Sequence, residues 1–286
     1  MADLIVAGIA LGAIYGLAGL SFVMVHNATS VVNFAHGDLV VVGGIAAAVM
    51  VASFGIHPVL TVPVVVLLLT PIGALLEIYA FRPLRGKPFA SSFTISIAVG
   101  IILSSGLLIL FGPQPRSLPP IAVGRLDAGL FSVRWHSLFI VLLTGMLVTV
   151  QWWLFQRTHL GYRLRATAAD PMMAQLVGIR IGRMTAFTFG IASAYAGIAG
   201  VLLAPVIFLS SDTGSTLILK IFVAVVIGGF GTVAGAVLGG VTLGVFEILA
   251  SAYVSSAYAD AIVFGLLLVI LLVRPQGFLG KVQARV

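Results

Sequence analysis

Polar positions in this chain are confined to short intervals between long apolar runs. The runs cover 4–25, 35–55, 59–80, 91–111, 137–155, 184–207, 217–229, 233–250 and 259–273. About 20 apolar residues, each rising 1.5 Å along a helix, cross the ~30 Å hydrocarbon core of a bilayer. Hydrocarbon offers an exposed backbone no hydrogen bonds, so runs of this kind close their own bonds as helices. The pattern predicts an all-α, polytopic transmembrane helical bundle in a single domain, 1–286, with eight to nine spans. The count turns on 217–229, where roughly a dozen residues reach only about 18 Å. A short or broken helix near 217–231, turning inside the protein at Gly228-Gly229-Phe230-Gly231, is the expectation there.

Composition agrees and narrows the class. Of 286 residues, 60% are hydrophobic and 8% charged, against roughly 25% charged in soluble domains. Mean hydropathy is +1.21. Most of the outer surface therefore faces lipid rather than water. The net charge of +7 would by itself admit nucleic acid as a partner. Its distribution argues against that: no run of basic residues is interleaved with aromatics. Instead, Arg82, Arg85 and Lys87 form one cluster, Arg157, Arg163, Arg165, Arg180 and Arg183 a second, and Arg274, Lys281 and Arg285 a third. Basic intervals between spans mark the cytoplasmic side. That assignment makes 157–183 a cytoplasmic loop and 112–136, with Pro113, Pro115, Pro119 and Pro120, the main external loop. With nine spans the N-terminus lies outside. Met1–Leu4 has no Lys or Arg before the first run, so that run is expected to be retained as a span rather than removed as a signal.

Several chemistries are missing. There is no cysteine, which removes disulfides, thiolate metal sites and cysteine nucleophiles. Gly86-Lys87 runs into Pro88 and Gly280-Lys281 into Val282, so no P-loop can cradle nucleotide phosphates. No His-Glu-x-x-His and no carboxylate pair at helical spacing supports an intramembrane enzyme.

What remains points to packing and passage. Gly8, Gly12 and Gly16, and Gly231, Gly235 and Gly239 followed by Gly240 and Gly244, keep small residues on one helix face. Such stripes either let helices pack closely or line a path between moving helices. Asn33-Phe34-Ala35-His36-Gly37-Asp38 is the most polar stretch beside a long run. It reads as a helix start with Asn33 as N-cap, or as a discontinuous helix whose first amides line a solute path. Glu77 precedes Arg82 and Arg85 as a snorkelling ion pair would, and Lys220 is expected to snorkel outward. Glu247 is a better path candidate than Asp260. In the basic loop, Asp170-Pro171 reads as N-cap and N1 and Gly178 as the stop of a helix of about two turns. Its apolar Met172, Met173, Leu176 and Val177 suit a lipid surface or a groove on a cytosolic partner.

The same stretches carry a resemblance. Asn33 to Asp38, Tyr79 to Arg85, Gly161 to Gly178, Ile227 to Ala236 and Arg274-Pro275-Gln276-Gly277-Phe278 resemble, in order, motifs of the permease subunit of branched-chain amino acid ABC transporters, the hydrophobic amino acid uptake family. Ala168-Ala169 lacks the Glu of the Glu-Ala-Ala coupling motif found in many other ABC importers. The resemblance implies a bacterial inner-membrane subunit that pairs with a second homologous permease, within membrane lipid. Two cytosolic ATPase subunits, which bind the ATP and Mg, would receive a coupling helix formed by Ala168, Ala169, Asp170, Pro171, Met172, Met173, Leu176 and Gly178. A periplasmic solute-binding protein would deliver the solute. No cofactor is implied on this chain. Candidates for the solute path are Asn33, His36, Gly37, Asp38, Ser96, Tyr195, Gly228, Gly229 and Glu247. Relatives of this kind are associated with branched-chain amino acids, and also with urea, amides and small organic acids. A self-contained secondary transporter or channel is the alternative from another class; it calls for an internal repeat and buried ionisable residues.

Overall fold

The computed structural model describes residues 2–122, 124–127, 132–274 and 276–280. Helices α1 (Ala2–Thr29), α2 (His36–Phe54), α3 (Pro58–Leu76) and α4 (Phe89–Phe111) come first. Strands β1 (Arg125–Asp127) and β2 (Ser132–Arg134) follow, and then α5 (Trp135–Arg157), α6 (His159–Ala169), α7 (Pro171–Leu176) and α8 (Ile181–Leu203). The chain closes with α9 (Thr213–Gly228), α10 (Val233–Tyr253) and α11 (Ala259–Val273). Helix α3 continues through a π-helical turn, Glu77–Phe81, and a 3-10 turn, Arg82–Leu84.

Among the described residues, 7 helices are long and apolar enough to cross a membrane. Helices α9, of 16 residues, and α11, of 15 residues, are apolar but shorter. Together these nine coincide with the nine runs of the sequence. The break foreseen near 217–231 falls at Gly228, and α11 is also short of a full span. Among the described residues the departures from helix include a short antiparallel strand pair, with Arg125 opposite Arg134 and Leu126 opposite Val133, and a single bridge between Arg116 and Leu209. Pro275, Lys281 and Arg285 lie outside the described residues, as do parts of 112–136.

The chain divides into two compact units, one from 1–23, 119–144 and 219–286, the other from 24–118 and 145–218. In the second unit α8 is the core element, buried along most of its length. It meets α2 through glycines: a Cβ added to Gly43 would lie 2.5 Å from Gly197 Cα, and one on Gly200 would lie 2.7 Å from Gly44 N. It meets α3 where a Cβ on Gly73 would lie 2.5 Å from Phe189 O. The α3, α4 and α5 segments of this unit expose Leu67, Ile109 and Met146, the side chains a lipid-facing surface requires.

In the first unit the α1 stripe faces Gly240 and Gly244 of α10, whereas Gly235 and Gly239 turn to Gly228 of α9. A Cβ on Gly8 would lie 2.7 Å from Val245 Cα, one on Gly12 2.5 Å from Val241 Cα, and one on Gly16 3.1 Å from Val237 Cα. The partner numbers fall as the glycine numbers rise, so the contact is antiparallel. These stripes serve close packing. Helix α9 ends where Gly229 and Gly231 take φ of 112° and 86°. Its last carbonyls are not left bare: Phe278 N donates to Ile227 O at 2.9 Å and Leu279 N to Gly228 O at 2.9 Å. A returning segment thus satisfies the acceptors that a helix end leaves open, which lets a short helix stop inside the protein. The rings of Phe22, Phe222 and Phe230 pack edge to face around it.

Replacing Gly12 by Leu should destabilise the protein by about 1–3 kcal/mol through overpacking. Gly106, with nothing within 4 Å of an added Cβ, is the control. Thermal unfolding in detergent should show a lower transition for Gly12→Leu and none for Gly106→Leu; equal transitions would refute the stripe contact.

Candidate functional site

After α1 the chain turns at Ser30, held at φ 55° with Ser30 N donating to His26 O at 2.7 Å. Asn33 Oδ1 then accepts from Ala35 N at 3.1 Å, and His36 N donates to Asn33 O at 3.2 Å. The N-cap of α2 is Ala35, without a side-chain acceptor. Asn33 therefore closes a turn ahead of the helix rather than capping it. The reason is local: an Asn side chain bonds the amide two residues on as readily as it caps. Asn33, His36 and Asp38 are all buried.

Asp38 is 8% exposed, and its carboxylate lies against two glycines distant in sequence. A Cβ on Gly100 of α4 would lie 2.7 Å from Oδ2, and one on Gly214, in the first turn of α9, would overlap Oδ1. A Cβ on Gly37 would lie 2.8 Å from Ile218 N and overlap Gly214 O. Among the described residues no cation pairs with Asp38. Ser96 belongs to the α4 stretch that packs on this turn, where Phe93 meets Phe34 at 5.0 Å between ring centroids. Its hydroxyl donates back to Phe93 O at 2.7 Å. Asn33, His36, Gly37, Asp38 and Ser96 thus form one polar region of the second unit.

The other path candidates are elsewhere. Tyr195, in the middle of α8, donates to Leu147 O of α5 at 3.0 Å. Gly228 ends α9 and Gly229 follows it, both in the first unit. Glu247 on α10 is also in the first unit and accepts from Lys220 at 2.8 Å, while Lys220 reaches Asp260 at 2.7 Å. The expectation that Lys220 snorkels outward is corrected: its side chain is 13% exposed. Two carboxylates within reach hold the ammonium more cheaply than stretching to water would.

The basic loop carries two helices rather than one. In α6, which the sequence did not announce, Thr158 Oγ1 accepts from Gly161 N at 3.1 Å, and Ala168 and Ala169 form its last turn. For α7, Asp170 Oδ1 accepts from Met172 N at 2.9 Å and Met173 N at 3.0 Å, with Pro171 in the first turn. Gly178 ends the segment at φ 83°, and Ile179 N donates to Ala174 O at 3.0 Å. Ala174 is buried, whereas Met172, Met173, Leu176 and Val177 are 73%, 58%, 77% and 76% exposed. A cavity of about 750 Å³ opens beside α7, lined among others by Ser30, Lys87, Ser92, Thr167 and Gln175. Glu77 also borders it. It forms the ion pair expected of it, but its carboxylate is 1% exposed rather than snorkelled.

Glycine-packed helices with buried polar turns, seven of them long and apolar enough to cross a membrane among the described residues, make up a multi-pass membrane protein. The family model for branched-chain amino acid transport system permease components matches residues 4–272, and the chain belongs to that family. The high-affinity branched-chain amino acid transport system permease protein LivH of Salmonella typhimurium is 31% identical, over 96% of this chain and 94% of its own. BraD of Pseudomonas aeruginosa, named for the same system, is 29% identical over 97% and 95%. A probable LivH of Methanocaldococcus jannaschii is 30% identical over 92% and 88%. No solved structure matches. The chain is accordingly a transport subunit of the inner membrane and not an enzyme, from a family of ABC-importer permeases that work with ATPases and a binding protein.

Lys220→Met should cost about 3–5 kcal/mol, because it leaves Glu247 charged, largely buried and unpaired. The double variant Lys220→Met/Glu247→Gln should recover much of that loss. Unfolding temperatures in nanodiscs check this; a double variant no better than Lys220→Met alone would contradict the pairing.

Proposed function

We propose that this chain forms one half of a translocation path for branched-chain amino acids in an ATP-driven importer, and that α7 is the element through which cytosolic ATPase subunits act on it. The observation that carries the reading is α7 itself. A six-residue helix would not hold its shape in water by propensity alone. Here it is closed by an aspartate cap at one end and a left-handed glycine at the other, yet it leaves four large apolar side chains outside. Burial in a partner's groove explains both features, since a pushed element must be stiff and a docked one must be apolar. Methionines adapt to such grooves. The clustered Arg residues that flank α7 support a cytoplasmic position for it.

The remaining assignments follow from that reading. A second related permease completes the path, two ATPases bind and hydrolyse the ATP with Mg, and a periplasmic binding protein supplies the solute. The substrate class is supported by the names of LivH and BraD and by a path candidate region with few charges. Asn33, His36, Gly37, Asp38 and Ser96 are the residues proposed to border the solute, because they place polar atoms at the start of a buried helix.

Labelled leucine should accumulate in vesicles holding the complete complex only with ATP inside and the binding protein outside, with ion gradients collapsed. Leu176→Glu should lower ATPase co-purification and uptake by about tenfold or more, since docking would bury an unpaired carboxylate. Uptake by this chain alone without ATP would refute the reading. ATP-dependent uptake of urea in place of leucine would keep the mechanism and replace the substrate.

A further inference from the structure

The end of α3 and the start of α8 are joined by a buried ionic clasp centred on Glu77. In an ordinary α-helix, residues five apart point away from each other. The π-helical turn Glu77–Phe81 changes this: Arg82 N donates to Glu77 O, five residues back, and the Arg82 side chain comes over that of Glu77. Arg82 Nη2 donates to Glu77 Oε2 at 2.7 Å, and the Arg85 guanidinium pairs with Oε1. Thr185 Oγ1 donates to Glu77 Oε1 at 3.0 Å. One buried carboxylate thus takes two guanidinium groups and a hydroxyl. Wide turns of this kind interrupt helices mostly where function needs them.

The same donors reach α8. Arg82 Nη2 also donates to Gly182 O at 2.7 Å, and Arg85 is hydrogen-bonded to Thr185 Oγ1. A Cβ on Gly182 would lie 3.2 Å from Arg82 Cζ, so the guanidinium is laid against a residue with no side chain. Gly182 and Thr185 stand in the first turns of α8, directly after α7. The connection from α7 to α8 is itself pinned, with Ile179 N on Ala174 O at 3.0 Å and Arg183 N on Arg180 O at 3.0 Å. Below the clasp the two helices pack through Phe81 on Phe189, 5.1 Å between ring centroids, and through Gly73 set close against Phe189 O. Those contacts hold the helices side by side; the charge-assisted bonds to Glu77 add directional ties at the end where α7 connects.

We propose that Glu77 is a positioning residue for energy coupling: through Arg82, Arg85 and Thr185 it makes the start of α8 and the end of α3 move as one body, so that a displacement of α7 reaches α3. This rests on α7 being the element on which the ATPases act. Leu67 lies on the exposed face of α3 and Gln175 is exposed on α7, and the chain has no native cysteine. Spin labels at Leu67→Cys and Gln175→Cys therefore report the α3–α7 distance without background from this chain, with partner subunits made cysteine-free.

In the complete reconstituted complex, Glu77→Gln should leave ATPase co-purification and ATP hydrolysis unchanged and lower leucine transported per ATP by about tenfold. The α3–α7 distance should be the same with and without ATP in the native sequence, and should shift or broaden with ATP in Glu77→Gln. Glu77→Asp, which keeps the charge, should restore part of the transport per ATP. An unchanged ratio of transport to hydrolysis in Glu77→Gln, or a distance as constant as in the native sequence, overturns the proposal. Loss of the ATPases from the Glu77→Gln complex would assign Glu77 to assembly and overturn it too. Retention of the ATPases by Leu176→Glu would instead overturn the docking role of α7, and the spin-label distances separate the two failures.

Discussion

Helices in hydrocarbon gain little from hiding apolar side chains against one another, because lipid is as apolar as leucine. What binds them is the closeness with which their backbones can approach. Both units of this chain are built on that constraint. Gly12 against Val241 in one, and Gly43 against Gly197 in the other, bring backbone atoms to distances that a single methyl group would break. The constraint also explains why a chain with so few charges folds specifically. Positions without side chains act as an address, matching one helix face to one partner.

Close approach leaves little space for polar groups, so each buried charge needs its own local solution. Glu77 is held by two guanidiniums and a hydroxyl. Lys220 is held by Glu247 and Asp260. Asp38 is accommodated differently: glycines at 100 and 214 make room for its carboxylate, and no cation is brought to it among the described residues. Desolvating a carboxylate with so little compensation is expensive. Its presence beside Asn33 and His36 marks that turn as the place where the fold accepts a cost.

Local features were legible in the sequence to the extent that their causes are local. Among the described residues each of the nine apolar runs becomes an apolar helix because it closes its own hydrogen bonds. Asp170-Pro171 and Gly178 predict a helix of two turns because cap and stop act within a few residues, and the Gly228–Gly231 break follows from the same kind of chemistry. Distant pairings were not legible. Nothing near Lys220 announces Glu247 or Asp260, and nothing near Asp38 announces Gly100 or Gly214. Glu77 looked like a surface ion pair because its arginines are close in sequence; Thr185, which helps close the site around it, lies 108 residues away. Helix α6 escaped notice because its arginines made it read as loop, although Thr158 supplies an ordinary cap.

The distribution of buried charge also bears on how energy enters. A carrier driven by an ion gradient needs carboxylates that exchange a cation during each cycle, and these must stand free on one side of the cycle. Glu77 is committed to Arg82 and Arg85 and Glu247 to Lys220, so exchanging a solute cation at either would first have to break these pairs. That leaves one acidic turn, at Asp38, which by itself forms no relay across a membrane. An exposed, capped apolar helix joined by hydrogen bonds to the start of α8 offers a mechanical entry instead. Paired carboxylates at Glu77 and Glu247 together with an exposed, capped apolar helix support the proposal that another protein, rather than an ion gradient, moves this fold.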